Sequence, residues 1–281
     1  MEKINIKYFG DVHVNEFFDE KKLYRIEDVV NDDKTNYICF TGDLINSTNF
    51  IRENVSKRKK IISFLERLSR ISPVIFTLGN HDIFMENNGW QNDWYEEFWK
   101  DVSAIDGINM LKYIFKYEDE NIYITDIDPG FSYYENNTGH EDKEELIKAL
   151  KIKKRFYQYL NTNRLNILLS HSPVFMTDKD ILDIINEFDV ILSGHMHNGL
   201  VPPIIDQIIK NNRGFITPDM TLFPDNVRGT KNIMYGDKLI KLMITGGITK
   251  ISKSRILNAI FPMSVSEFEY DKKTKKIKTI R

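Results

Sequence analysis

Ile4–Phe9 alternates apolar and polar residues until a Gly-Asp pair breaks the pattern, which predicts a strand running into a turn. Similar apolar runs at Tyr37–Phe40, Pro73–Leu78, Leu165–Leu169 and Val190–Leu192 predict further strands, and Ile122–Thr125 predicts one hairpinned to Tyr113–Tyr117. Helical periodicity fills the intervals. One helix starts near Asp19 and ends at Asp28–Val30. A long one covers Ile51–Ile71 with Val55, Ile62, Leu65 and Leu68 as its buried stripe, and others cover Asp142–Leu160 and Asp178–Phe188. The tail changes character: Leu239–Thr245, Val265–Tyr270 and Lys276–Ile280 read as antiparallel strands, the last two joined at Asp271–Thr274. Strand alternating with helix predicts a layered α/β fold with added antiparallel strands at the C-terminus. No repeat or linker divides the chain, so residues 1–281 read as one domain, with 84–110 a candidate helical cap or insertion.

Polar residues gather where the apolar runs stop. Five of the six histidines fall in four blocks: Gly10-Asp11-Val12-His13, Gly79-Asn80-His81-Asp82, Ser170-His171-Ser172-Pro173 and Gly194-His195-Met196-His197. A fifth block, Thr41-Gly42-Asp43-Leu44-Ile45-Asn46, adds a carboxylate. Each follows a strand, and the carboxyl ends of strands are where α/β sheets bind ligands. Imidazole, carboxylate and amide oxygen without thiolate are donors that first-row divalent metals accept. Asp11, His13, Asp43, Asn80, His171, His195 and His197 are seven candidates, too many for one tetrahedral ion but suited to two ions sharing a carboxylate, an arrangement used in phosphoryl chemistry. A lone Gly-Asp or His after a strand is ordinarily just a turn or a satisfied polar residue; five such strand ends together are not explained by turn chemistry.

Composition narrows the partners. A formal charge of −2 gives no reason to expect nucleic-acid or anionic-lipid binding, and the lysine clusters at 57–60, 151–154 and 272–278 read as solvated faces. Cys39, the only cysteine, sits in an apolar strand and reads as buried and inert. No run is long and apolar enough to span a bilayer. Met1 leads straight into a strand with no room for a signal peptide, so the cytoplasm is the expected location.

Asp-x-His, Gly-Asp-x-x-Asn, Gly-Asn-His-Asp, a lone His after a strand and Gly-His-x-His, in this order over residues 10–199, resemble the calcineurin-like metallophosphoesterase superfamily. The resemblance implies a four-layer α-β-β-α sandwich. It implies one ion on Asp11, His13, Asp43 and His197 and a second on Asp43, Asn80, His171 and His195, with Asp43 bridging. Manganese is the expected metal, with iron, zinc, cobalt or nickel within the donor set's range. His81 would stand over the cleft as general acid while a metal-bridging hydroxide attacks phosphorus in line.

The pattern departs from relatives at Asn46, where many carry an Asp that orients the catalytic His, and at Ser47, where phosphoprotein phosphatases carry a phosphate-gripping Arg. The missing Arg argues against a phosphoserine phosphatase. The expected substrate is therefore a small phosphoester, most of all a phosphodiester; a nucleotide or pyrophosphate-linkage hydrolase and a non-catalytic scaffold are the alternatives. Oligomeric state stays open. Two stretches are candidates for shaping specificity. Phe84–Trp99 holds Trp90, Trp94, Tyr95, Phe98 and Trp99, for which core packing is the favoured reading over a lid. Asn211–Gly229 carries Arg213 and Arg228, for which a surface ion pair competes with phosphate contact. His140 reads as solvated, and Asp126 and Asp128 as turn formers.

Overall fold

The computed structural model describes residues 2–83, 93–134, 141–157, 160, 163–201, 213–216, 222, 224–250, 261 and 263–280. Its strands are β1 (Lys3–Phe9), β2 (Thr35–Phe40), β3 (Val74–Phe76), β4 (Ile108–Met110), β5 (Lys116–Glu118), β6 (Ile122–Ile127), β7 (Leu165–Ser170), β8 (Val190–Ser193), β9 (Gly229–Tyr235), β10 (Lys238–Ile244), β11 (Ser266–Asp271) and β12 (Lys276–Ile280). They form two six-stranded sheets, ordered β12-β11-β1-β2-β3-β4 and β5-β6-β7-β8-β10-β9. In the first, β1 to β4 run parallel and the β11–β12 hairpin adds on antiparallel. In the second, β6, β7, β8 and β10 run parallel, and β5 and β9 flank them antiparallel.

Parallel strands covered on both faces need apolar residues on both, and these strands have them. Ile4, Ile6, Tyr8, Cys39, Ile75, Ile167, Leu169, Leu192 and Phe268 fill the space between the sheets. Phe9, Ile38, Phe40 and Phe76 face outward onto Ile26, Phe64, Leu65 and Leu68 of helices Lys21–Val30 and Val55–Ile71. On the far side, Leu168, Ile191 and Leu242 pack on Leu146, Leu150, Ile181 and Ile185 of helices Lys143–Tyr157 and Lys179–Ile185. The layers are therefore helix, sheet, sheet, helix, as expected.

Several elements differ from the sequence reading. The 51–71 helix is two, Thr48–Glu53 and Val55–Ile71, parted at Asn54, whose side chain caps the second by accepting from Lys57 N. The break turns Val55 outward, 48% exposed, and makes Ile61, Phe64, Leu65 and Leu68 the buried stripe. β10 is antiparallel only to β9 and lies parallel beside β8, which carries its carboxyl end to the same edge as the polar blocks. The polar positions inside β1, Asn5 and Lys7, are not solvated: Lys7 is buried under the first helix, its Nζ donating to Val29 O at 2.6 Å and facing Asp32 at 3.6 Å. Asp126 is a buried strand residue rather than a turn former, accepting from Thr77 Oγ1 and paired with Lys153. Asp128 does make a turn, accepting from Gly130 N. His140 and Trp90 lie outside the described residues. Phe98 and Trp99, on helix Asp93–Ser103, pack in the core against sheet one.

Candidate metal centre

Each polar block leaves a parallel strand at one edge of the sandwich, and backbone bonds lace these loops together. Asp11 N donates to Gly42 O, Val12 N to Asp43 O, Gly194 N to His171 O and Thr249 N to Asp11 O. Close approach demands glycine: a Cβ on Gly79 would lie 2.2 Å from Asp43 Oδ1, and Gly42 sits at φ +98° against Gly79. Asp11, His13, Asp43, His195 and His197 all hold left-handed backbone, φ between +46° and +69°. Non-glycine residues seldom adopt it, and such strain persists where the surroundings over-determine it, characteristically at functional sites.

The side chains converge. Donor atoms of Asp11, His13 and His197 lie within 4.8 Å of one another, as do those of Asp43, His171 and His195, and those of His13, Asp43 and His81. Asp43 stands between the groups, its Oδ2 3.4 Å from His13 Nε2 and 3.2 Å from His171 Nε2. Asn80 Oδ1 is 3.0 Å from His171 Nε2. All seven candidates therefore gather in one cluster, and His81 joins them, its ring edge-on to His13 at 4.6 Å.

Electron pairs face electron pairs here. His171 Nδ1 donates to Thr41 O and His197 Nδ1 to Thr249 O, both at 2.7 Å, so in the neutral rings each Nε2 carries a lone pair. Yet His171 Nε2 faces two oxygens, and His197 Nε2 faces His13 Nε2 at 3.2 Å. Asp11 Oδ2 and Asp43 Oδ2 are buried without a hydrogen-bond partner among the described residues. Acceptors packed against acceptors cost energy unless a cation or a proton joins them, so this donor set fits divalent ions, and without one a proton on His171 can join it to Asp43. The charges respond accordingly. Burial opposes a charged ring at His171, but Asp43, helped by Asp11, outweighs it and pushes the pKa up to about 9. Burial likewise opposes ionisation of Asp43, but His171, His81 and His13 hold its pKa well below the usual carboxylate value. Burial keeps His13 well below an ordinary imidazole and lowers His197 too.

A family model of the calcineurin-like phosphoesterases matches residues 4–199. The chain belongs to that family. This family member is 26% identical over 217 residues to an uncharacterised metallophosphoesterase of Campylobacter jejuni, Cj0846, a match covering 76% of the chain and 49% of the relative, so the chain spans about half the length of the curated relative it matches. In fold it is similar to TT1561 of Thermus thermophilus, at TM-score 0.50 and 13% identity over 99% of this chain and 98% of that one. It is also similar to a candidate 5′-nucleotidase of Staphylococcus aureus in complex with alpha-ketoglutarate, at TM-score 0.52 and 11% identity over 99% of this chain and 53% of that one.

The residues that hold the family's motifs in place were only partly visible in the sequence. Asp82 accepts the backbone N–H groups of Asp43, Leu44, Ile45 and Gly79 and so fixes the loop bearing Asp43. Burial and the Asp43 carboxylate push its pKa up to about 7 against those donors. Its place in Gly-Asn-His-Asp marked it, but its role did not show. The carbonyls of Thr41 and Thr249 left no sequence signal. Neither did Lys250, which is buried with its Nζ donating to Gly246 and Gly247 carbonyls, and whose pKa burial pushes down to about 7. The departures at 46 and 47 have structural answers. His81 Nδ1 donates to the backbone carbonyl of Asn46 at 2.9 Å, not to its side chain. Ser47 Oγ caps helix Thr48–Glu53 by accepting from Phe50 N. Arg213, for which an ion pair and a phosphate contact were both open, forms a surface ion pair with Asp225 at 2.8 Å.

Proposed function

We propose that this chain is a metal-dependent phosphohydrolase that holds two divalent ions and acts on phosphodiesters. The observation that carries the reading is Asp43 Oδ2, buried between His13 and His171 and facing both donor groups. Asp11, His13, Asp43 and His197 would hold one ion, and Asp43, Asn80, His171 and His195 the other, with manganese the metal to try first. Bound there, divalent ions supply Lewis acidity toward phosphoryl oxygens and acidify water. The protein's own part is orientation and proton transfer. Thr41 O and Thr249 O turn Nε2 of His171 and His197 into the pocket. His81 spends Nδ1–H on Asn46 O, which leaves Nε2 to carry a proton to the departing oxygen as general acid.

Preference for diesters rests on Ser47. Where phosphatases of this family present a guanidinium, this chain has a buried hydroxyl engaged in a helix cap, and a diester, with one fewer negative charge than a monoester dianion, needs less cationic grip. The test is hydrolysis of bis-p-nitrophenyl phosphate and p-nitrophenyl phosphate by manganese-loaded protein, beside Asp43→Asn. Manganese-dependent cleavage of the diester, lost in the variant, is expected. Equal rates for the two proteins would leave only a scaffold of this fold, and faster monoester cleavage would overturn the diester assignment.

A further inference from the structure

The two donor groups differ in charge. Asp11 and Asp43 both serve the first, whereas the second has only a share of Asp43, with the neutral Asn80 amide and two imidazoles. Beside that poorer group lies a carboxylate that no motif marks. Glu141 Oε1 is 3.1 Å from His195 Nε2, with both side chains about nine-tenths buried. The opposite nitrogen of the same ring, His195 Nδ1, is 3.2 Å from His171 Nε2, inside the cluster. Glu141 therefore sits behind the ring rather than within the donor set. Ser172 Oγ, next in sequence to His171, also donates to Glu141 Oε1, at 3.3 Å. One carboxylate thus ties together the two loops that deliver the imidazoles of the second group.

We infer that Glu141 is a positioning residue for the second ion: it fixes His195 with Nδ1 turned into the cluster and supplies, through the ring, negative charge that this donor group lacks. The inference rests on the two-ion part of the proposed function. A carboxylate behind a ligating histidine sets its tautomer and orientation and raises its basicity, and losing such a partner typically weakens metal affinity 10–100-fold. A purely structural task is already assigned elsewhere: the first turn of helix Lys143–Tyr157 is capped by Asp142, whose Oδ1 accepts from Glu144 N and Glu145 N.

The test is manganese retention by wild type, Glu141→Ala, Glu141→Gln and Ser172→Ala against graded chelator, with circular dichroism confirming the fold and cobalt(II) absorption reporting each ion's surroundings. Glu141→Ala is expected to release one of two ions at about 10–100-fold lower chelator strength and to change the cobalt spectrum for that ion alone. Glu141→Gln keeps an acceptor without the charge and falls between, and Ser172→Ala retains both ions. Folded Glu141→Ala and Glu141→Gln proteins that keep both ions like wild type would overturn the inference. So would a wild type that takes up one ion or none. A wild type that binds two ions, releases one on loss of Glu141, yet cleaves no phosphoester would sink the proposed activity and leave this role standing.

Discussion

His81 shows how much a side chain's role depends on atoms the sequence does not display. Asn at position 46 supplies no carboxylate to orient the ring, and the backbone carbonyl of the same residue holds it instead. A carbonyl survives substitution. Asn46→Ala is therefore expected to change turnover of an activated diester by less than about tenfold, whereas His81→Ala should lower it by about 10²–10⁴, the usual worth of a general acid, and most for alkyl leaving groups. Metal content should stay at wild-type level in both variants. Equal losses from the two substitutions would place the holding force in the Asn46 side chain and remove the carbonyl from the account. Cys39 makes a simpler case. Its apolar strand context sufficed to predict an inert thiol, and burial between the sheets raises its pKa well above the ordinary value. The native protein should resist thiol reagents at neutral pH and react only when unfolded; stoichiometric labelling of the native fold would contradict that burial.

At the scale of elements, the strands of the parallel cores were legible because burial on both faces leaves continuous apolar runs. The candidate ligands were legible because each polar block interrupts such a run. Orientation was not legible for β10: Lys238–Ile244 has the composition of either kind of strand, and only its pairing with β8, some fifty residues earlier, makes it parallel. Nor was the break at Asn54, where helical periodicity continues on both sides and one capping side chain resets the axis. What joins the elements is contact too close for any side chain. Gly79→Ala would drive a methyl group to 2.2 Å from Asp43 Oδ1 and 2.6 Å from Asp43 N, and neither backbone nor the Asp82-bound loop can retreat without loosening Asp43. A cost of about 1–3 kcal/mol is expected from overpacking, together with weaker retention of both ions, since Asp43 is proposed to serve both groups. Thermal unfolding and metal analysis of the variant measure the two effects. Loss of stability with both ions fully retained would mean that the Asp43 loop moves independently of Gly79.

Across the whole molecule, the same packing that gathers the donors leaves some of their buried atoms unpaired in the metal-free state. Buried Asp11 Oδ2 and Asp43 Oδ2 lack hydrogen-bond partners among the described residues, and five of the seven candidate ligands hold left-handed backbone. These costs are set against hydrophobic burial between and outside the sheets, and bound ions would relieve them. Ligand linkage gives about 2.7 kcal/mol for each ion present at a hundredfold excess over its dissociation constant. For a chain of this size about 1 kcal/mol corresponds to roughly 2 °C in Tm. Stripping both ions with chelator should thus lower Tm by on the order of 10 °C, and added manganese should restore it. Asp43→Asn separates fold stability from ion binding. Without metal it should melt below metal-free wild type at neutral pH, because the histidines around Asp43 hold its pKa well below the usual value and so favour the charged carboxylate in the fold, and chelator should barely shift it. Calorimetric scans of both proteins with and without chelator make the comparison. A wild type whose Tm ignores chelator, or an Asp43→Asn variant that chelator destabilises as much as wild type, would show that the convergent donors do not gather cations through Asp43, and the two-ion reading would fall with them.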